Sequence, residues 1–116
     1  TNWTQTGYYM RAGKLVIAKF ILTAGASMTA GSGLYRIALP VNANANHFAE
    51  TATVALYDSS SGNQVHACGV IQTATYIQIQ YQATHIGALT VAANNAPWTW
   101  AANDTIRCGQ LIYEAA

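Results

Sequence analysis

The stretch that most constrains the fold is residues 14–22, which reads Lys-Leu-Val-Ile-Ala-Lys-Phe-Ile-Leu. It is rich in β-branched and aromatic residues and too short for an independent helix, so the pattern favours a strand. Successive side chains of a strand point to opposite faces. One face then carries Val16, Ala18, Phe20 and Leu22, and the other carries Leu15, Ile17, Lys19 and Ile21. Because both faces are apolar except at Lys19, both have to be covered.

We expect one face of this strand to pack into the core of a β-sandwich and the other to pack against another copy of the same chain. The odd-numbered face is therefore the predicted interface between copies, made of Leu15, Ile17, Lys19 and Ile21. Just upstream, residues 7–13 indicate the first arm of a hairpin. We predict its turn at Ala12-Gly13, where the glycine supplies a positive φ.

Composition limits the class of protein. The chain has 116 residues, enough for a single domain with its own core. Charged residues make up 8% of it, against roughly 25% in an ordinary soluble domain. The net charge is +1 and the five basic residues are scattered, so we predict no binding to nucleic acid. No apolar run approaches the roughly 20 residues of a membrane span, so no membrane insertion is expected.

Alternation of apolar and polar residues, bounded by turn residues, indicates strands along the whole chain. The predicted strands are residues 7–11, 14–22, 33–40, 50–57, 64–72, 76–82, 88–93 and 104–114. The cleanest alternation lies in residues 76–82, where Ile77, Ile79 and Tyr81 face inward and the glutamines face outward. Turns recur roughly every 8 to 12 residues and no helical pattern is present, so the sequence predicts one antiparallel all-β sandwich or barrel over residues 1–116.

The residues that could carry chemistry are few. The only carboxylates are Glu50, Asp58, Asp104 and Glu114. A glycan-cleaving pair among them is the enzymatic hypothesis, but each lies in a turn or at a strand end, where acids are commonly structural. We therefore predict that the chain is not an enzyme. Cys68 and Cys108 permit one disulfide, but both lie in strand-like runs, and we favour free buried thiols.

Three segments together resemble a known family. They are residues 9–16 (an aromatic, an Arg and a glycine turn before an apolar strand), residues 31–40, and residues 96–104 followed by Gly109 and the terminal Tyr113-Glu114. In this order and spacing they resemble the C-terminal domains of minor tail proteins, or tail-fibre tips, of long-tailed bacteriophages, notably those infecting actinobacteria. One departure is Asn103, where the related pattern usually has Gly; Asn also tolerates a left-handed turn.

The resemblance implies a homotrimeric jelly roll, like the globular heads of the complement and tumour-necrosis-factor superfamily. It also implies a place in the virion, at the tip of a tail or fibre, where the domain contacts the host surface. The opening Thr1-Asn2-Trp3 is what we expect of the C-terminal tip of a longer chain. His47, His66 and His85 lie in three different segments, so no metal ion or other cofactor is predicted. His66 meeting its symmetry mates on a threefold axis is the alternative.

A receptor site follows if every connection reverses the chain direction. The loops 41–49 and 94–103 then lie together at the end away from the stem. The predicted receptor-binding residues are Asn42, Asn44, Asn46, His47, Asn94, Asn95, Trp98 and Trp100. Amides orient a neutral glycan by hydrogen bonds and rings cover its apolar face, so the expected partner is a host cell-surface glycan. Packing inside the domain is the alternative for Trp98 and Trp100.

Two other functions stay open at this stage. The domain could be purely structural, trimerising or capping a fibre without touching a receptor. It could also be a secreted bacterial or animal lectin of the same superfamily.

Overall fold

A computed structural model describes residues 3–29, 31–45, 50–83 and 88–116. The chain is all-β, and no α-helix occurs in these residues. The strands are β1 (Trp3–Ala12), β2 (Leu15–Ala24), β3 (Arg36–Ala38), β4 (Glu50–Tyr57), β5 (Gln64–Thr73), β6 (Tyr76–Tyr81), β7 (Thr90–Val91) and β8 (Thr105–Glu114). A search of the same residues finds no helix long and apolar enough to cross a membrane.

The strands form one eight-stranded antiparallel sheet in the order β1-β2-β8-β4-β5-β6-β3. The short strand β7 pairs with β6 beyond the end of β3, so both lie along the same edge of β6. The sheet curls until its two ends approach each other, which brings Trp3 at the start of β1 against Tyr35 just before β3. The predicted all-β class and antiparallel pairing are confirmed.

The concave inner face of the curled sheet holds the core. The strands β2, β4, β5, β6 and β8 contribute their inward-facing residues, as alternation requires, whereas every residue of β1 after Trp3 is exposed. The large buried apolar side chains of the strands are Val16, Phe20, Val54, Leu56, Ile71, Ile77, Ile79, Tyr81, Ile106, Leu111 and Tyr113. A sheet that curls in this way covers its own inner face without a second layer of helices.

Strand β2 is apolar on both faces, as the sequence predicts. Val16, Ala18 and Phe20 are buried in the core. On the opposite face Leu15 is 47% exposed and Ile21 is 39% exposed. In the single chain, the outer face of this strand is thus left open to water.

The predicted strand bounds are within two residues for β2, β4, β5, β6 and β8, too short for β1, and wrong for the two short strands. The fourth strand, β4, has the predicted bounds Glu50–Tyr57. The expected strand 33–40 is only Arg36–Ala38, and the expected strand 88–93 is only Thr90–Val91. The physical reason is that both share one edge of the six-residue strand β6, which cannot pair fully with two long strands.

The first hairpin turn is displaced by one residue from its prediction. Ala12 pairs with Leu15, so the two-residue loop is Gly13-Lys14 rather than Ala12-Gly13. Gly13 has a φ of 59°, the left-handed conformation that a two-residue hairpin requires at its first loop position. The hairpin is also longer than predicted, because β1 begins at Trp3.

We expected every connection to reverse the direction of the chain. This expectation is wrong for the last connection, between β7 and β8. β8 begins beside Thr23 and Tyr57 and ends beside Leu15, so it runs in the same direction as β1. The segment 92–104 therefore returns to the end where β1 begins. We call this end, with the turn 58–63, the lower end. The upper end carries the Gly13-Lys14 turn, the loop 41–45 and the last residues of the chain.

Gly7 is required by the close approach of β1 and β2. A Cβ atom at this position would lie 2.6 Å from the carbonyl oxygen of Lys19 and 2.9 Å from the Cβ of Phe20. Gly7→Ala should therefore lower the free energy of unfolding by about 1–3 kcal/mol, measured by urea denaturation. Gly109→Ala is the control, because a Cβ there meets nothing within 4 Å. Equal stability of the two variants would contradict the close approach.

Candidate functional site

The predicted receptor residues are divided between the two ends of the molecule. Asn42 and Asn44 lie at the upper end, where Asn44 N–H donates to the carbonyl of Glu114 at 2.8 Å. Asn94 lies at the lower end, where its N–H donates to the carbonyl of Gly33 at 3.1 Å. Asn46 and His47 lie outside the described residues. The structure therefore does not bring the two loops together into one site.

The upper loop is held in place by hydrogen bonds to the last strand. The Tyr113 hydroxyl donates to the Val41 carbonyl at 2.7 Å and accepts from the Val41 N–H at 3.2 Å. Burial raises the pKa of Tyr113, so the phenol is neutral and can make both bonds. Ala43 is buried and donates to the Ala74 carbonyl at 2.8 Å.

The two Asn side chains of this loop differ in what they offer a ligand. Asn42 is exposed, and its carbonyl accepts a bond from the Ala116 N–H at 2.9 Å. Asn44 is half-buried, and its Nδ2 donates to Oε1 of Glu114 at 3.2 Å. The exposed amide of Asn42 thus points to solvent on a backbone that is fixed from both sides.

The lower loop uses most of its predicted site residues for its own structure. The Asn94 side chain accepts a hydrogen bond from the Gly33 N–H at 3.2 Å. Trp100 is 3% exposed, and its indole N–H donates to the Ala93 carbonyl at 2.9 Å. Asn95 alone among them is exposed. Trp100 therefore packs inside the domain, which was the alternative to contact with a ligand.

An aromatic cluster closes the lower end. Trp100 lies 5.3 Å from Trp98, 5.8 Å from Trp3 and 5.7 Å from Tyr35, measured between ring centroids. The rings are tilted, an arrangement that favours aromatic packing. Trp98 is half-buried, and its indole N–H is buried with no hydrogen-bond partner in the described part of the chain. The cluster joins the start of β1 to the segment before β8.

Asp104 fastens two lower-end segments together. It is fully buried, and its Oδ1 accepts from the Ser59 N–H at 2.9 Å and from the Ser59 hydroxyl at 3.1 Å. Its Oδ2 accepts from the Ala101 N–H at 2.8 Å. Asn103, just before it, has a φ of 69°, so the left-handed turn expected at this position is confirmed. This carboxylate therefore has a structural role.

The other described acid of the lower end, Asp58, organises its own turn. Its carboxylate accepts hydrogen bonds from the hydroxyls of Ser60 and Ser61, both at 2.7 Å. These bonds lower the pKa of the Asp58 carboxyl. Both carboxylates of the lower end are thus engaged by neighbouring serines.

A second candidate surface lies on the outer face of β1, β2 and β8. The large apolar side chains of this outer patch are Tyr8, Met10, Leu15, Ile17, Ile21 and Ile112, with Lys19 among them. Cross-strand pairing brings them together: Met10 lies opposite Ile17, Ile17 opposite Ile112, and Tyr8 opposite Lys19.

The sequence identified only the β2 row of this patch. Met10 is 60% exposed and Tyr8 is 72% exposed, and both were missed. The hairpin register could have revealed them. The even-numbered residues of β1 face the same side as the odd-numbered residues of β2, which places Tyr8 and Met10 beside the predicted interface.

The thiols and His66 form no site. Cys68 lies opposite Thr53 and Cys108 opposite Val54, so the two thiols point to opposite faces of the sheet and cannot pair. The two cysteines form no disulfide, as expected, but only Cys108 is buried, whereas Cys68 is half-buried. Burial raises the pKa of Cys108 to about 11. Among the described residues, no three of His, Cys, Asp and Glu come together as metal ligands.

Comparisons of the chain with family models, with curated proteins and with solved structures found no match.

Proposed function

We propose that this chain is the homotrimeric receptor-binding tip of a bacteriophage tail, a jelly-roll domain that adheres to a host cell-surface glycan without catalysis. The observation that carries the proposal is the outer patch, a connected apolar surface on a domain that is otherwise poor in charge. Such a surface on a single chain marks a place where another molecule is bound. The sequence resemblance to phage tail tips supplies the biological setting.

The two halves of the sheet differ on their outer faces. On β4, β5 and β6 the outward positions carry mostly small or polar side chains such as Thr53, Ala55, His66 and Gln80, with Tyr57, Val70 and Tyr76 half-buried among them. Among the described strand residues, outward-facing Leu, Ile and Met side chains lie on the β1-β2-β8 half, so copies of the chain would associate through that half.

Lys19 is compatible with such an interface. It lies next to Tyr8, at an exposed position of β2. The aliphatic stem of a lysine can extend an apolar surface while its ammonium group stays hydrated.

The upper end is the better place for a receptor. It carries the exposed Asn42 on an anchored loop. Loops fixed on a rigid sheet are where binding residues usually lie. The lower end instead uses its aromatic rings and Asp104 for internal contacts. We therefore assign glycan binding to the upper loop, with Asn42 and Asn44 as its described residues.

A structural cap is the second candidate. Asn44, Asn94 and Trp100, all expected to meet a ligand, direct polar groups to their own chain. If the upper loop binds nothing, the outer patch alone would make the domain a trimerisation unit of a fibre.

The absence of catalysis is part of the proposal. A glycoside hydrolase needs two carboxylates that reach the substrate from both sides of the scissile bond. Asp104 is fully buried with both oxygens bonded, and Asp58 is engaged by Ser60 and Ser61. These contacts favour binding over hydrolysis.

The assembly is tested by the mass of the particle in solution. Light scattering at micromolar concentration should report three chains for the wild-type domain. Ile17→Asp should reduce this to one chain, because a carboxylate would be buried between Met10 and Ile112 of the patch. Thr53→Asp, on the outer face of the other half, should leave the trimer intact. A wild-type monomer would refute the proposed assembly.

Receptor binding is tested by two exposed asparagines at opposite ends. Phage particles carrying Asn42→Ala should adsorb to host cells more weakly, by about tenfold if two hydrogen bonds to the glycan are lost. Particles carrying Asn95→Ala are the control and should adsorb normally. Normal adsorption of both, with the trimer intact, would favour the structural cap. Weak adsorption of the Asn95 variant alone would place the receptor at the lower end.

A further inference from the structure

A polar group that the fold does not use lies on the outer face of β6. Gln78 faces outward between the inward-facing Ile77 and Ile79, and its side chain is only 9% exposed. Its side-chain amide makes no hydrogen bond within the described part of the chain, yet the amide is not sealed from solvent. Because buried amides are normally hydrogen-bonded, this position is suited to a polar ligand that supplies the missing partners.

Arg36 lies directly beside this amide. It is the cross-strand partner of Gln78 in the antiparallel pair of β3 and β6, so the two side chains lie on the same face of the sheet. The exposed guanidinium of Arg36 makes no hydrogen bond and no ion pair with the residues that the structure describes. Its N–H donors are therefore available next to the amide of Gln78.

An aromatic ring fixes the position of the guanidinium. Cζ of Arg36 lies over the Tyr76 ring, 4.9 Å from its centroid, within the range of a cation–π contact. The residue opposite Tyr76 is Ala38, whose small side chain leaves room for Arg36 to reach the ring. A guanidinium held in this way loses less conformational freedom when a ligand binds, and its N–H groups can contact a planar oxyanion through two bonds at once.

The positive charge at this position is not balanced by a neighbouring acid. The cross-strand partners of Arg36, Gln78 and Tyr76 include no Asp or Glu. Glu50, the acid of the same row, lies on β4, three strands away from β3. The other carboxylates accept hydrogen bonds at the two ends of the molecule; they are those of Asp58, Asp104 and Glu114. An oxyanion is therefore the complementary ligand group.

The surroundings favour a glycan over a peptide as the carrier of this anion. Gln80, two residues further along β6, lies on the same outer face and is half-buried, so a second amide adjoins the site. Peptides are commonly bound by an open strand edge, but β6 is paired with β5 on one side and with β3 and β7 on the other. Sugar hydroxyls both donate and accept hydrogen bonds, as side-chain amides do.

We propose that Arg36 and Gln78 bind an oxyanion carried by a cell-surface glycan, on the outer face of β3 and β6. The guanidinium donates to the oxygens of the anion, and the amide of Gln78 bonds to the same group or to an adjacent hydroxyl. The carboxylate of a uronic acid and the phosphodiester of a polyol phosphate share this chemistry. The surface is separate from the outer patch and from the upper loop, so the inference does not depend on the proposed function.

The test is an NMR titration of the purified protein with three probes: trigalacturonate, a trimer of glycerol phosphate, and neutral galactotriose. The side-chain amide signal of Gln78 should shift in a saturable way with at least one acidic probe, which identifies the source of the anion, and should not shift with galactotriose. Gln78→Met assigns this signal by removing it. A lack of saturable shifts with both acidic probes would overturn the proposal, as would equal binding of galactotriose.

Two arginine variants separate this site from general attraction by charge. Arg36→Gln should weaken binding of the acidic probe by at least about tenfold, because charge-assisted bonds are lost. Arg107→Gln is the matched control, since Arg107 is also exposed on the outer face, opposite Ile21 and Ala55, and its loss changes the net charge equally. It should change binding by less than about twofold.

Equal weakening by the two arginine variants would overturn the proposal in favour of non-specific attraction. Binding of acetyl-Gly-Glu-Gly-amide as tight as that of the acidic glycan probe would overturn the assignment to a glycan, in favour of an acidic peptide. The probe titrations use the wild-type protein, so they decide the proposal even if a variant fails to fold.

Discussion

The constraint on which the rest of the structure depends is that one curled sheet has only one inner face. That face takes the core side chains of every long strand except β1 and is covered by the curl itself. The outer face has no second layer in the single chain. On the β4-β5-β6 half, the outer face can be exposed to water, since Thr53, His66 and Gln80 lie there. On the β1-β2-β8 half, exposure to water is unfavourable, because the aliphatic rows of β1, β2 and β8 meet in the outer patch. The proposed association of copies rests on this asymmetry.

The two ends of the sheet are fixed by different interactions. At the upper end, Tyr113 and Glu114 of β8 anchor the loop 41–45 through hydrogen bonds. At the lower end, Asp104 joins the turn at Ser59 to the segment before β8, and Trp100 packs among three other rings. Because the side chains of the lower end serve the fold, the upper loop is left as the proposed receptor surface.

Local pattern was enough to predict part of this structure. Alternation located β4 and the two faces of β2, and the left-handed conformation of Asn103 followed from the residue type. Long-range arrangement was not accessible in the same way. Loops were assigned to the two ends by assuming that the chain direction reverses at every connection. This assignment failed for the segment before β8, because β7 has only two residues and the chain returns to the lower end. Gln78 faces outward as expected but is 9% exposed, because Arg36 and Val70 flank it in the sheet. The bonds of Asp104 to Ser59 span 45 residues, beyond any local signal.

The central claim is that the outer patch is covered in the assembled protein, and the two methionines report on it directly. Met10 lies in the patch and is 60% exposed in the single chain, whereas Met28 lies in a loop, partly buried against the core. Oxidation by dilute peroxide, followed by mass spectrometry of the peptides, measures the accessibility of each thioether. If copies cover the patch, Met10 is oxidised more slowly than Met28 at micromolar concentration, and the order reverses when the protein is diluted until it dissociates. Faster oxidation of Met10 than of Met28 at every concentration would contradict the account.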